Sequence, residues 1–258
     1  MKTLNLILTF LFISSFVNVT KAADESLLLY FPFDEIKGEK VEDKSGNGFT
    51  GVCKGGFELV EGKFGNAISL NGTDGYVEVE HDDRLVLMGS FTIEAWLRVD
   101  GPGDWRHLIG KGIDNDTLNY LIPIDGGNVV YLAIGGWANH LTGPALKVGK
   151  WYHIAGVQDE DANKREFYVD GEVVAEGEML NEVASDAPVI IGARIWAGHV
   201  EQFSNFTIDE LAIYTRALKK GEINEHMSSG IPLAVNSHDK LTVTWGFLKK
   251  NRLATRHF

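Results

Sequence analysis

The chain has 258 residues, of which 44% are hydrophobic and 23% charged, a composition typical of a folded globular protein. Its 36 acidic residues outnumber its 24 Lys and Arg residues, which gives a formal net charge of −12. Nucleic acids and anionic membrane surfaces are recognised through basic patches, so we expect neither as a partner. The single cysteine, Cys53, excludes an intrachain disulfide and a multi-cysteine metal site.

The first 22 residues have the pattern of a secretory signal peptide. Lys2 precedes an apolar run over residues 3–19, and Thr20 and Ala22 stand at the −3 and −1 positions of a cleavage site. The alternative is a buried strand or an uncleaved anchor, but the run is short and polar for a membrane span, and no later stretch approaches one. We therefore expect export to the medium or the cell surface and cleavage after Ala22.

Alternation of apolar and polar residues, the pattern of β-strands, dominates the mature chain. Residues 91–99 alternate most regularly, which predicts a strand with one buried face carrying Phe91, Ile93, Ala95, Leu97 and Val99. In chain order, the other strands that we predict are residues 27–33, 67–71, 76–80, 118–124, 129–134, 151–157, 166–169, 189–191 and 206–214.

The connections between these strands have the composition of tight turns. The pair Asp170-Gly171 lies between two strand-like runs and predicts a hairpin with a type I′ turn. Only residues 219–227 have a helical pattern. Many short strands without alternating long helices favour an all-β fold, a two-sheet antiparallel jelly-roll sandwich with one short C-terminal helix.

The composition changes after Ile231-Pro232. Residues 233–258 contain five Lys or Arg residues and one acidic residue, whereas the preceding domain is strongly acidic. We therefore divide the chain into a signal peptide (1–22), a jelly-roll domain (23–230) and a basic C-terminal tail (231–258). The tail is either a last strand with a solvated terminus or a sorting or attachment signal, and the pattern leaves both open.

Several short motifs follow one another along residues 27–227. They are Leu29-Tyr-Phe-Pro-Phe-Asp-Glu35, Asp43-Lys-Ser-Gly-Asn-Gly48, Gly62-Lys-Phe-Gly-Asn-Ala67, Leu70-Asn-Gly72, Phe91-Thr-Ile-Glu-Ala-Trp96, Trp151-Tyr-His-Ile-Ala-Gly156, Tyr168-Val-Asp-Gly171, Ile190-Ile-Gly-Ala193 and Ile208-Asp-Glu-Leu-Ala-Ile-Tyr214. In this order they resemble the laminin-G-like domain of the concanavalin A-like lectin/glucanase superfamily, in its secreted bacterial form. The resemblance implies the same jelly-roll fold, and we expect most of these residues to maintain it.

Motifs for catalysis are absent from the sequence. It contains no Gly-x-Ser-x-Gly, no His-Glu-x-x-His and no phosphate-binding loop. The superfamily includes retaining glucanases with a Glu-x-Asp-x-Glu strand, and the nearest segment here, Glu78-Val-Glu80, lacks the third carboxylate. We therefore predict a binding module that is not an enzyme. A glycosidase or lyase of the superfamily and a purely structural cell-surface component are the alternatives.

The resemblance also implies a structural calcium ion, which would take carboxylate and carbonyl oxygens. In similar jelly rolls such an ion joins the first strand to the penultimate one. This makes Asp209 the expected ligand and Asp34 the second choice, with Asn71 and Gly72 as further oxygen donors. Asp209 has the strand parity of apolar Leu211, so its carboxylate needs a cation or hydrogen bonds. The alternative is that Asp209 caps a turn or accepts backbone hydrogen bonds.

Aromatic and polar residues on loops are the candidates for ligand binding. Aromatic rings stack on the apolar face of a sugar, and polar groups fix its hydroxyls, which singles out Trp105, Trp137, His140 and Trp196. We therefore expect a glycan or an extracellular or cell-surface protein as partner. Against this, tryptophan is commonly a packing residue.

Overall fold

The computed structural model describes residues 24–114 and 117–232. The predicted signal peptide and residues 233–258 of the predicted basic tail lie outside this part of the chain. In chain order, the described strands are β1 Leu27–Phe31, β2 Lys40–Glu42, β3 Thr50–Lys54, β4 Phe57–Glu61, β5 Asn66–Leu70, β6 Tyr76–Val79, β7 Phe91–Val99, β8 Arg106–Lys111, β9 Tyr120–Ile124, β10 Val129–Ile134, β11 Leu141–Ala145, β12 Trp151–Asp159, β13 Lys164–Val169, β14 Glu172–Glu178, β15 Val189–Ile191, β16 Arg194–Trp196, β17 His199–Glu201 and β18 Phe206–Tyr214. One helix, α1 Lys220–Ser229, follows the last of them.

Two antiparallel sheets of eight strands form the sandwich. The first sheet has the order β14-β13-β12-β7-β18-β5-β4, and β1 also pairs with β18. The second sheet has the order β11-β10-β9-β8-β15-β6-β3-β2, and β16 and β17 form a separate two-stranded ribbon. The predicted fold class, an all-β two-sheet jelly-roll sandwich with one short C-terminal helix, is confirmed. None of the described helices is long and apolar enough to cross a membrane.

The main hydrophobic core lies between the sheets and follows the predicted alternation. The odd-numbered residues of β7 belong to it, and β10 contributes alternate residues in the same way. The predicted Asp170-Gly171 hairpin joins β13 to β14, with φ of 51° and 76° at the two turn residues, as a type I′ turn requires. The sequence analysis did not predict β2, β3, β4, β8, β11 or the β16–β17 ribbon.

The prediction that β7 has one exposed face is wrong. Its second face carries Thr92, Glu94 and Trp96, and all three are buried. The reason is a second hydrophobic cluster, in which residues of β1, β12, β13 and β18 pack with Leu218 and with Ile223 of α1. The helix therefore covers the outer face of the first sheet, which a strand pattern read alone does not reveal.

A buried polar cluster fixes α1 to this face. His226 of α1 has its Nδ1 2.7 Å from Oε1 of the fully buried Glu94, and its ring stacks on Tyr214 with centroids 5.7 Å apart. Nε2 of His153 lies 3.6 Å from Oε2 of Glu94, and burial lowers the pKa of His153. Glu94 is thus a buried carboxylate whose hydrogen-bonded partner comes from the helix.

A β-bulge in β18 changes the direction in which Asp209 points. Its register against β7 shifts between Asp209 and Ala212, and Glu210 has a φ of 52°. Because of the bulge, Ile208 and Leu211 both face the main core, whereas Asp209 lies on the outer face opposite Trp96. The predicted shared parity of Asp209 and Leu211 is therefore wrong.

The turn between β4 and β5 is held by two carboxylates. Asp209 Oδ2 accepts hydrogen bonds from the backbone N–H groups of Lys63 (2.8 Å) and Phe64 (2.9 Å). Asp34 Oδ1 accepts one from the N–H of Asn66 (3.0 Å). Gly62 is required because a Cβ there would lie 2.6 Å from Asp209 Oδ2 and 2.8 Å from the carbonyl of Asn66. This explains the glycine that opens the Gly-Lys-Phe-Gly motif.

Replacing His226 with alanine leaves Glu94 Oε1 buried without its partner. We expect His226→Ala to lower the free energy of unfolding by about 1–3 kcal/mol, the cost of an unsatisfied buried polar group. Urea denaturation measures the change, and the exposed His199 supplies the control variant His199→Ala. Equal losses in both variants would contradict the role assigned to His226.

Gly62→Ala forces a Cβ against a buried carboxylate and the backbone. We expect a loss of about 1–3 kcal/mol in the free energy of unfolding, typical of overpacking. Gly126→Ala is the matched control, because a Cβ there meets only ordinary contacts, the nearest at 3.6 Å. Urea titration of both variants should show the loss at Gly62 alone, and a stable Gly62→Ala protein would argue against the close approach of Asp209.

Candidate functional site

The structure brings Asp209 and Asp34 to the same β4–β5 turn but leaves Asn71 and Gly72 apart from them. Asp34 contacts the start of β5, whereas Asn71 follows its end, about 16 Å away at roughly 3.3 Å per residue. Asn71 Oδ1 accepts three backbone N–H groups of its own turn. The predicted four-residue set therefore does not converge on one point, and the described residues hold no group of three His, Cys, Asp or Glu side chains placed for a metal.

The environment of Asp209 nevertheless has one unusual feature. Its Oδ1 atom is buried and has no hydrogen-bond partner among the described residues, while Oδ2 takes both backbone bonds. Burial is the main reason that the pKa of Asp209 is raised to about 7, against the opposing effect of those two bonds. The arrangement matches the predicted alternative, a carboxylate that accepts backbone hydrogen bonds, and it leaves one oxygen that could accept a cation or carry a proton.

The four predicted ligand-binding residues share one surface. A cleft of about 220 Å³ is lined by Trp105, His107, Leu121, Pro123, Trp137, Arg194, Trp196 and Gln202. His140 does not line the cleft but stacks on Trp137, with ring centroids 4.2 Å apart. Ligand binding by these residues stays a prediction, while their proximity is a property of the fold.

The floor of the cleft is the outer face of the second sheet. In β9, Tyr120, Ile122 and Ile124 belong to the main core, so the intervening Leu121 and Pro123 point the other way. Leu121 also packs in a small satellite cluster against which Trp137 lies. Because side chains alternate along a strand, Leu121 and Pro123 form an apolar floor beneath the tryptophans of the loops.

Neighbouring rings fix the orientation of the two tryptophans at one side of the cleft. The ring of Trp137 meets that of Trp105 edge-on, with centroids 5.4 Å apart, stacks on His140 and also contacts the tilted ring of Tyr131. The Tyr131 hydroxyl donates to Asp125 Oδ2 at 2.9 Å. Edge-to-face and stacked pairs of this kind hold aromatic rings in defined positions. The cleft wall is therefore rigid before any ligand arrives.

Trp196 reaches the cleft from the β16–β17 ribbon. The ribbon turns at Ala197 (φ 49°) and Gly198 (φ 81°), both in the left-handed region that a two-residue type I′ hairpin requires. Trp196 is 38% exposed, and the guanidinium carbon of Arg194 lies 4.4 Å from its ring centroid. The ribbon thus presents one exposed aromatic ring with a cation–π contact from Arg194.

A hydrogen bond between buried and exposed polar groups completes the lining. His107 Nε2 lies 2.7 Å from Gln202 Oε1, and because an amide oxygen only accepts, the proton is on Nε2. Burial lowers the pKa of His107 to about 3, which favours the neutral ring. No described residue accepts from the amide nitrogen of Gln202. That nitrogen is left available to a ligand.

Sequence reasoning missed Arg194, Gln202 and the floor residues Leu121 and Pro123. The alternation within 118–124 contained a signal for the floor, because it separates Leu121 and Pro123 from the core residues. Nothing in the local sequence around Arg194 or Gln202 singles them out. They become candidates only because the β16–β17 ribbon places them in the same cleft lining as Trp105.

Solved structures of several binding domains have the same fold. The binding domain of Paraclostridial Mosquitocidal Protein 1 matches with a TM-score of 0.64 and 20% identity, over 80% of this chain and 52% of that one. Domain 4 of AbnA, a GH43 extracellular arabinanase from Geobacillus stearothermophilus, solved with arabinotriose, matches with a TM-score of 0.61 and 20% identity, over 78% and 97%. The binding domain of Botulinum Neurotoxin DC, solved with SialylT, has a TM-score of 0.61 and 15% identity, over 80% and 52%.

The sequence comparisons agree with the structural ones. The chain is 22% identical over 224 residues to Paraclostridial mosquitocidal protein 1 of Paraclostridium bifermentans. The match covers 76% of this chain but only 17% of that protein, so the chain spans less than a fifth of the relative's length. The laminin G pattern of the concanavalin A-like lectin/glucanases superfamily matches residues 71–224, which is more than half of the chain. With the sandwich and the motifs described above, this establishes that the chain belongs to the concanavalin A-like lectin/glucanases superfamily.

Proposed function

We propose that the protein is an exported, non-catalytic recognition module that binds carbohydrate in the cleft between Trp105, Trp137 and Trp196. The observation that carries the proposal is the convergence of three tryptophan rings around one cleft of about 220 Å³. Concave sites with aromatic walls and a few polar groups are typical of ligand-binding sites.

The polar groups of the cleft suit hydroxyls. The amide oxygen of Gln202 is already hydrogen-bonded to His107, and this bond sets the direction in which the amide nitrogen points. Arg194 lines the same cleft, where it packs on Trp196, and lies opposite Glu201 in the register of the ribbon. Because the rings and the amide are already held in place, less side-chain entropy is lost on binding. The combination of apolar rings and a polar amide suits a ligand that offers apolar faces and hydroxyls.

The relatives support a recognition role. One structural neighbour is the binding domain of a mosquitocidal protein, one was solved with arabinotriose and one with SialylT. The Botulinum neurotoxin DC binding domain was also solved in complex with rat synaptotagmin II, which supports an extracellular or cell-surface protein as the alternative partner. A secreted or cell-surface location is part of the proposal, consistent with the signal-peptide pattern of the first 22 residues.

The lining of the cleft favours binding over hydrolysis. Glycosidases use two carboxyl groups on either side of the scissile bond, about 5–9.5 Å apart. Among the described residues, neither Asp nor Glu lines the cleft. A glycosidase or lyase would need a second carboxylate-bearing surface, and this makes the non-catalytic module the function that we propose.

Carbohydrate binding is tested with a panel of neutral oligosaccharides, including arabinotriose, cellotriose and maltotriose, and sialylated glycans. We expect Trp196→Ala to weaken the best ligand at least about tenfold, because a stacked ring contributes on the order of 1.5 kcal/mol. Isothermal titration calorimetry measures the affinity. Trp151→Ala is the matched control, a half-exposed tryptophan on the first sheet away from the cleft.

Two outcomes would contradict carbohydrate binding in the cleft. One is the absence of binding to every sugar in the panel, which would favour the protein-partner or purely structural alternatives. The other is binding that Trp196→Ala and Trp151→Ala affect equally.

We also propose a structural calcium ion at Asp209. The buried, unpartnered Oδ1 of Asp209 supports it, with Asp34 on the same turn as the second ligand. Asn71 and Gly72 lie too far along β5 to join them. An ion that binds only the folded state would raise the free energy of unfolding.

Chelation tests the calcium proposal. We expect EDTA to lower the melting temperature relative to excess calcium, and Asp209→Asn to reduce this difference, because the charge is lost while an oxygen remains. Identical melting curves of the unsubstituted protein in calcium and in EDTA would reject calcium. They would leave Asp209 as a structural residue that accepts backbone hydrogen bonds.

A further inference from the structure

We infer that the ligand is a sugar chain of at least two units, which extends past Trp105 from the cleft into a second hollow and places a neutral unit there. The inference rests on the proposed carbohydrate binding and deepens it. The second hollow has a volume of about 320 Å³, and the lining residues used below are Asp104, Trp105, Arg106, Gln202, Phe203 and Asn205.

The cleft and the second hollow are neighbours on the surface. Trp105 and Gln202 line both of them. The cleft alone, at about 220 Å³, is smaller than the roughly 300–1,000 Å³ of typical ligand pockets, whereas the two spaces together fall within that range. A ligand that filled only the cleft would not contact the sides of Trp105 and Gln202 that face the second hollow.

The chemistry of the second hollow suits hydroxyl groups. No described residue hydrogen-bonds to the carboxylate of Asp104, which is exposed and therefore free to accept from two hydroxyls. Phe203 adds an apolar ring, whose centroid lies 6.0 Å from that of Tyr76. A carboxylate acceptor beside aromatic rings is the arrangement that a polyhydroxylated ring with an apolar face can use.

The one cation of the second hollow is not available to an anion. Arg106 is 2% exposed, and its guanidinium donates to the carbonyls of Gly101 (2.7 Å) and Asp125 (3.2 Å) and to Asn205 Oδ1 (3.1 Å). Its donors are therefore committed within the protein, whereas the Asp104 carboxylate is not. The exposed charge among the residues that line this hollow is the Asp104 carboxylate, which an acidic sugar would have to approach, so we infer that the unit in this hollow is neutral.

The second hollow is also preorganised. Asn205 bridges Arg106 and the carbonyl of Pro102, to which its Nδ2 donates at 3.0 Å. At the rim, the side-chain oxygen of Asn71 accepts hydrogen bonds from the backbone of its own turn. The rim and floor are thus fixed by internal bonds, and Asp104 is the side chain left to contact a ligand.

The experiment compares Asp104→Ala with the unsubstituted protein, using arabinose and glucose against arabinotriose, cellotriose and maltotriose. Asp161→Ala is the matched control, an exposed aspartate in the β12–β13 turn. Calorimetry gives the trisaccharide affinities and ligand-observed NMR gives those of the monosaccharides. Melting temperatures verify that each variant is folded.

We expect a bound trisaccharide to exceed its monosaccharide in affinity by at least about tenfold. Asp104→Ala should lower trisaccharide affinity about tenfold, the effect of one lost hydrogen bond to a charged group, and leave monosaccharide affinity unchanged. Asp161→Ala should change neither. Phe203→Leu, which keeps an apolar side chain but removes the ring, should also weaken the trisaccharide alone.

The outcomes separate this inference from the proposed function. A trisaccharide that binds, is weakened by Trp196→Ala and is unaffected by both Asp104→Ala and Phe203→Leu would overturn the second hollow and leave the cleft intact. Equal affinities for monosaccharide and trisaccharide would overturn it as well. Binding of sialylated glycans but none of the five neutral sugars would overturn this inference alone, whereas binding of neither class would contradict the proposed function on which it rests.

Discussion

Burial of the central strands of the first sheet on both faces is the constraint on which the rest of the structure depends. One face of β7, β12 and β18 packs in the main core and the other lies under α1, so a polar group on that outer face is costly unless it has a partner inside the protein. Glu94 finds His226, and Asp209 finds the β4–β5 turn. The cost of leaving such groups unpaired ties the helix and the turn to the sheet.

The second sheet is used differently. Within the described chain, no helix covers the outer face of β9 and β10, and aromatic side chains from the loops lie there instead. The strands supply a rigid floor, and the loops supply Trp105 and Trp137. This division, with a stable scaffold beneath and variable groups above, is common where binding sites form on sandwiches. The asymmetry between the two sheets therefore decides which face can meet a ligand.

The sequence contained enough information for the fold but only part of the site. Strands such as 91–99 and 206–214 were predictable because alternation is a local property. The bulge at Glu210 was not, because a one-residue insertion leaves the pattern on either side intact while reversing the direction of Asp209. Cover by α1 is a long-range contact, so the exposure of one face of β7 was predicted wrongly.

For the site, residue types were predictable and their partners were not. Tryptophans on loops can be chosen as candidates from the sequence alone, and the structure places Trp105, Trp137 and Trp196 around one cleft. Gln202 becomes recognisable only when His107 is known to hold it. The geometry of a polar group depends on the neighbours that the topology brings, and single-sequence patterns do not encode them.

The β16–β17 ribbon has a consequence for how such a protein can diversify. None of its residues belongs to the hydrophobic clusters of the described chain, although Trp196 lines the cleft. Its shape comes from the local turn at Ala197 and Gly198. Substitutions or a change of length in this hairpin therefore alter the cleft without unfolding the sandwich. The shape of the cleft can therefore change in one short segment while selection for a stable scaffold acts on the rest.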